Sequence, residues 1–137
     1  METLKNRLKR HEGLSLFPYK DSEGFITLGY GRCLDKRGIS QKEADAMLQV
    51  DIDAATNAYR FKIPEAVQRH CNTARVEVLI CMIFQMGLGG VLKFKRMLSY
   101  LAQGDFNKAA DEMCDSLWAT QTPARCTELS EMMRRGT

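Results

Sequence analysis

Residues 11–32 read HEGLSLFPYKDSEGFITLGYGR, and this stretch decides how the rest of the chain is read. The segment leading into it, Glu2 to Glu12, has helical period: Leu4 and Leu8 fall on one row at i, i+4, with Lys5, Arg7, Lys9 and Arg10 on the remaining faces. That row continues onto Glu12, and Gly13 supplies a helix stop. A carboxylate ending an apolar row is expected to be partly desolvated, which favours its protonated form. From Leu16 to Leu34 the period changes to short β pieces, LFPYK, FITLGY and GRCL, broken by DSEG and by Gly29 and Gly31. They predict a small antiparallel hairpin or three-stranded meander, with Phe25 and Thr27 on one face and Ile26 and Leu28 on the other. Asp21 opens the turn, where its side chain can bond its own backbone.

Outward from the hairpin the chain turns helical. Asp35 to Gly38 is a polar connection, and Ser40-Gln41-Lys42-Glu43 is a capping box opening a long helix to about Phe61, with the stripe Ala44, Met47, Leu48, Ile52, Ala55 and Tyr59. Pro64 marks a break before a short helix to about His70. Arg75 to Met86, RVEVLICMIFQM, is either a buried central helix or a pair of core strands; its length without a turn signal favours the helix, closed by Gly87, Gly89 and Gly90. Leu92 to Ala102 carries a further stripe. Asp105 N-caps a helix whose face is Phe106, Ala109, Ala110, Met113, Cys114 and Leu117. Thr122-Pro123 opens a last helix that buries Cys126, Leu129 and Met133 and ends at Gly136. The fold class is α+β: a small N-terminal β-hairpin lobe over about 13–40, a long helix over about 40–61, and a helical lobe over about 62–137 that also takes in helix 2–12.

A chain of 137 residues makes one domain with a sizeable core. A net charge of +3 is too weak to point to nucleic acid. Five cysteines without metal-ligand spacing read as reduced, mostly packing thiols made in a cytoplasm. The first residues are charged throughout, and no apolar run reads as long enough for a signal peptide or membrane span.

Two carboxylates across a short hairpin suit glycoside hydrolysis, in which one donates a proton to the leaving oxygen and the other acts from the opposite side of the sugar. Glu12 has the setting of the acid and Asp21 that of the ionised partner. Acidic residues at helix ends and turns are also common, so spacing leaves both readings open. The glycines of GYGR open no helix, which argues against a phosphate loop. His11 and His70 lack spaced metal partners, and Met82, Met86, Met97 and Met113 recur at core positions.

The quoted stretch closely resembles the motif of the phage-type lysozymes, glycoside hydrolase family 24. Their spacing of Glu, eight residues, Asp, five residues, Thr is met by Glu12, Asp21 and Thr27. The resemblance extends through ISQKEADAMLQVDIDAA, VLICMIFQMGLGGVLKF and WATQTPARC, over most of the chain. It implies a lysozyme-like fold and a muramidase without metal or cofactor, which cleaves the β-1,4 bond between N-acetylmuramic acid and N-acetylglucosamine with inversion, the peptidoglycan strand lying between the lobes. Glu12 is then the general acid, Asp21 orients or deprotonates the attacking water, and Thr27 holds that water. Arg125 becomes the charge partner of Glu12, and Phe84 and Gln85 line the cleft.

There are departures. The family's histidine after the GxG is Arg32 here, so its ion pair with the interlobe aspartate becomes Arg32 with Asp51. Cleft positions held in the family by a leucine, a serine and an asparagine are Cys33, Met97 and Glu112. The endolysin analogy further implies a monomer made in a bacterial host cytoplasm that reaches the wall with the help of a holin, with no stable membrane association. A non-catalytic peptidoglycan-binding or structural domain of the same fold, and a chitin-directed glycosidase, are the alternatives.

Overall fold

Thr3 starts the first helix, its hydroxyl accepting the Asn6 N–H at 3.1 Å, and this helix, α1, runs Leu4–Glu12 in a computed structural model that describes every residue from Met1 to Thr137. Gly13, at φ +70°, returns its N–H to Lys9 and ends it. The meander follows as β1 (Ser15–Lys20), β2 (Ile26–Gly29) and β3 (Arg32–Cys33), antiparallel in the order β1-β2-β3. Thr27 pairs with Tyr19 on one side and with Cys33 on the other. The register slips between Ser15 and Tyr19, the stretch containing Pro18, which has no N–H to give a ladder. The polar connection holds one helical turn, α2 (Leu34–Arg37). The Asp35 carboxylate of α2 accepts the Ile26 N–H at 2.6 Å and so braces the central strand.

The capping box forms as expected: the Glu43 N–H donates to Ser40 Oγ at 3.1 Å, and the Ser40 N–H to Glu43 Oε1 at 2.9 Å. It opens α3 (Gln41–Lys62). The apolar stripe expected along α3 is buried only at Ala55 and Tyr59, whereas Met47, Leu48 and Ile52 are 55, 47 and 37% exposed. The chain forms two compact units, Met1–Met47 and Leu48–Thr137, and the boundary falls within this helix. The first unit includes α1, which the sequence reading placed with the helical lobe. Leu4 and Leu8 are 70 and 48% exposed, so the row leading to Glu12 is not a buried one.

In the second unit, α3 is followed by α4 (Glu65–Gln68), α5 (Thr73–Leu92), α6 (Lys95–Ala102), α7 (Phe106–Cys114), α8 (Leu117–Gln121) and α9 (Pro123–Arg135). Its core joins Val78, Leu79 and Met82 of α5 to Met97 and Leu101 of α6, Met113 of α7 and Met133 of α9, all fully buried. α5 is the central helix that length favoured over strands. It does not stop at its glycines: the helix breaks at Gly87 (φ +80°, ψ 162°) and resumes to Leu92. By length and composition α5 could cross a membrane, which corrects the reading that no apolar run is long enough. Here it is the core helix, with Val78, Leu79, Met82, Ile83 and Val91 buried.

Asp105 caps α7 through the Lys108 N–H at 3.1 Å. Thr122 does not cap α9 with its side chain; its hydroxyl donates to the Trp118 carbonyl at 3.0 Å, because α8 ends just before it. α7 ends at Cys114, so Leu117, which opens α8, leaves the α7 face and is 72% exposed. At the far end of α9 the Arg75 guanidinium donates from Nε to the Met133 carbonyl (2.7 Å) and from Nη2 to that of Arg134 (3.2 Å). Arg75 also stacks over the Phe106 ring, 3.4 Å from its centroid. Two carbonyls a helix end leaves unpaired are thereby satisfied.

Candidate active site

Glu12 is the last residue of α1, and its carboxylate lies against the backbone of Gly31. A Cβ built on Gly31 would stand 2.7 Å from Glu12 Oε2, and Gly31 has φ +75°. Only glycine meets both conditions at low cost, the left-handed backbone and the close approach of an acid. The side chain of Glu12 is exposed, so the expected desolvation by an apolar row is absent; that row is itself open to solvent.

Asp21 is bound into its turn as the sequence suggests. Its Oδ1 accepts the backbone N–H of Glu23 at 2.8 Å and of Phe25 at 2.9 Å, while the backbone closes through Gly24 N–H to the Asp21 carbonyl at 3.0 Å. One carboxylate oxygen thus holds the turn. The hydrogen bonds of the turn leave Oδ2 open. Thr27 is 4% exposed on the central strand, and its hydroxyl donates to the Phe25 carbonyl at 3.1 Å. With its proton committed, Thr27 Oγ1 can act toward a further group only as an acceptor.

Arg32 departs from expectation. Its guanidinium finds an acid within the first unit, pairing with Glu43, Nη1 to Oε2 at 2.5 Å. Glu43 sits in the first turn of α3 and is already held by the capping box, so its carboxylate is in place beside β3. The pair keeps the Glu43 carboxyl down at about 2, through Arg32 first and then the Ser40 hydrogen bonds, and it raises Arg32. The capping box signalled Glu43 as a fixed acid; nothing local signalled that Arg32 faces it. Cys33, next along β3, is half-buried.

The remaining candidates belong to the second unit. Phe84, 47% exposed, and Arg125, in the first turn of α9, line one pocket of about 470 Å³ together with Glu77, Cys81 and Glu128. Gln85 turns its carbonyl oxygen to the Trp118 Nε1–H at 2.8 Å, which fixes the amide and leaves its NH₂ to give. Met97 and Glu112 meet at another pocket, of about 380 Å³. Met97 is fully buried, which corrects its assignment to the substrate: a side chain packed into the core has no surface to offer a saccharide. Glu112 is half-buried and is met by Arg96 at 3.4 Å. No three His, Cys, Asp or Glu side chains converge as a metal site would require.

Residues 9–135 match the phage lysozyme family. The chain is 28% identical over 164 residues to probable T4-type lysozyme 1 of Dictyostelium discoideum, an alignment covering 100% of this chain and 96% of that protein. It is 29% identical over 160 residues to the pre-baseplate central spike protein Gp5 of Enterobacteria phage T4, covering 98% of this chain and 28% of Gp5. To the endolysin of Bacillus phage B103 it is 28% identical over 113 residues, 78% of this chain and 41% of that protein. Taken with the mixed fold of a three-stranded sheet followed by helices, the match over nearly the whole chain means that this protein belongs to the phage lysozyme family and is a glycoside hydrolase.

Proposed function

We propose that the protein is a peptidoglycan muramidase that hydrolyses the β-1,4 bond between N-acetylmuramic acid and N-acetylglucosamine with inversion. The observation that supports this reading is the different setting of three side chains in the first unit: Glu12 against Gly31, Asp21 with one oxygen bound into its turn, and Thr27 with its hydroxyl proton committed. Glu12 protonates the departing glycosidic oxygen. Asp21, with Oδ1 spent on its turn, uses Oδ2 to take a proton from the attacking water. Thr27, its own proton given to Phe25, accepts the water's other hydrogen and aims the lone pair. Such an attack from the face opposite the acid inverts the anomeric carbon. Phe84, Gln85 and Arg125, with Cys33 and Glu112 at the margin, are assigned to the glycan or its support, and the reaction needs no metal or cofactor.

The names of the relatives support a cell-wall role and widen its setting. An endolysin and a baseplate spike protein are phage components, whereas T4-type lysozymes also occur in Dictyostelium discoideum. Host lysis by a monomer released through a holin is the reading we favour, and it follows the endolysin. A non-catalytic wall-binding domain and a chitinase are the competing readings.

Purified peptidoglycan and chitin oligomers distinguish all three. New muramic acid reducing ends, released first as the α anomer, are expected from the wild type, with at least about a 10²-fold loss in Glu12→Gln. Binding without new ends would establish the module, cleavage of chitin alone the chitinase, and a β product a retaining mechanism.

A further inference from the structure

The second unit holds two thiols that its fold brings together and that the glycosidase chemistry does not use. Cys114 is the last residue of α7 and Cys126 the fourth of α9, yet their Sγ atoms lie 3.8 Å apart. Their environments differ: Cys114 is exposed, whereas Cys126 is 3% exposed and also directs its thiol at the Met113 carbonyl, 3.6 Å away. The other three cysteines, Cys33, Cys71 and Cys81, make no such sulfur contact.

We propose that Cys114 and Cys126 are a disulfide-forming pair that reacts with small-molecule disulfides, Cys114 as the attacking thiol and Cys126 as the resolving one. The exposed Cys114 loses its proton and its thiolate attacks one sulfur of the incoming disulfide RSSR; that S–S bond breaks, one RS⁻ leaves and takes up a proton, and Cys114 carries a mixed disulfide. Cys126 then loses its proton and attacks Cys114 Sγ, forming the Cys114–Cys126 bond and expelling the second RS⁻, also protonated on leaving. The sum is one protein dithiol plus RSSR giving one protein disulfide and two RSH. A bond of about 2.05 Å needs the sulfurs to close by less than 2 Å, within reach of side-chain rotation at the end of α7.

The order follows from access. Burial, and then Cys114 beside it, push the Cys126 thiol up to about 11, so Cys126 is a poor first nucleophile and reacts once a disulfide has been delivered to its neighbour. The closed loop contains α8, with Trp118 that holds Gln85, and Arg125 at the start of α9. The bond would be absent in a reducing cytoplasm and would form outside it, stapling the end of α7 to the start of α9.

The test treats the folded protein with oxidised glutathione, followed by intact mass and peptide mapping. In wild type Cys114 and Cys126 are expected in one linked peptide pair, about 2 Da lighter than the two reduced peptides and with no glutathione on either cysteine. Cys126→Ser should stop at a stable glutathione adduct on Cys114, and Cys114→Ser should leave Cys126 reduced. A wild-type protein that keeps glutathione on Cys114, or that links Cys114 to any cysteine other than Cys126, overturns the proposal. The wild-type mapping decides the matter even where a serine variant folds poorly.

Discussion

Arg32 Nη1 lies 2.5 Å from Glu43 Oε2, and the same Glu43 closes the capping box that begins the long helix. One carboxylate thus ties the last strand of the meander to the first turn of α3. The family's histidine would make a pair that switches off near neutrality; the guanidinium makes one limited only by its acid partner.

The first prediction concerns acid stability. Glu43 is held at about 2 against an ordinary 4.5. Because the folded value is the lower one, the contribution is complete above about 4.5 and is lost as pH falls from there to about 2. In Glu43→Gln the acid side of a stability–pH curve from denaturant unfolding should be flatter across that window, with no difference in slope near neutrality. Both side chains are part-exposed, at 29 and 41%, so about 1 M salt should narrow the gap. Identical acid slopes would dismiss the pair.

Gly31→Ala should act on Glu12 more than on folding. The new methyl would meet Glu12 Oε2 at 2.7 Å, and the flexible acid is what gives way. An acid moved by about 1 Å loses on the order of 10²-fold in turnover, while the positive φ costs the fold about 1–2 kcal/mol. Activity that survives unchanged would show that the position of Glu12 against Gly31 is irrelevant to the reaction.

At Asp21 the turn and the chemistry can be separated. Asn keeps an oxygen for the Glu23 and Phe25 N–H groups, so Asp21→Asn should fold like wild type while losing about 10²- to 10⁴-fold in activity. Asp21→Ala should lose the same activity and in addition about 1–3 kcal/mol of hairpin stability. Wild-type turnover in the asparagine variant would remove Asp21 from the mechanism.

Arg75→Ala should destabilise the second unit by about 2–3 kcal/mol, since it strips two carbonyls at the end of α9 and uncovers Phe106. Lysine keeps the charge but neither the fork nor the stack, so Arg75→Lys should recover little. The urea midpoint is the measurement, and an alanine variant within about 0.5 kcal/mol of wild type would count against the clamp.

Much of the site was legible because its signals are local. An Asx turn, a capping box and alternation along a four-residue strand depend on residues a few positions apart, and Asp21, Ser40 with Glu43, and Thr27 all stand as their neighbours dictated. The spacing of Glu12, Asp21 and Thr27 was likewise open to reading. Where expectation failed, the deciding partner lay elsewhere in the fold. Arg32 took Glu43, Met97 went into the core, and Leu4 and Leu8 stayed exposed.

Periodicity and caps therefore settled the longer elements of this protein but not the short helices α2 and α8, since long elements are governed by hydrogen bonds and side-chain rows that repeat over several turns. They could not say which atoms meet across elements. That Glu12 rests on Gly31, that Arg75 clamps the end of α9, and that Cys114 finds Cys126 follow from packing between segments. Residue spacing along the chain carries no distance through space until the helices have closed on their shared core.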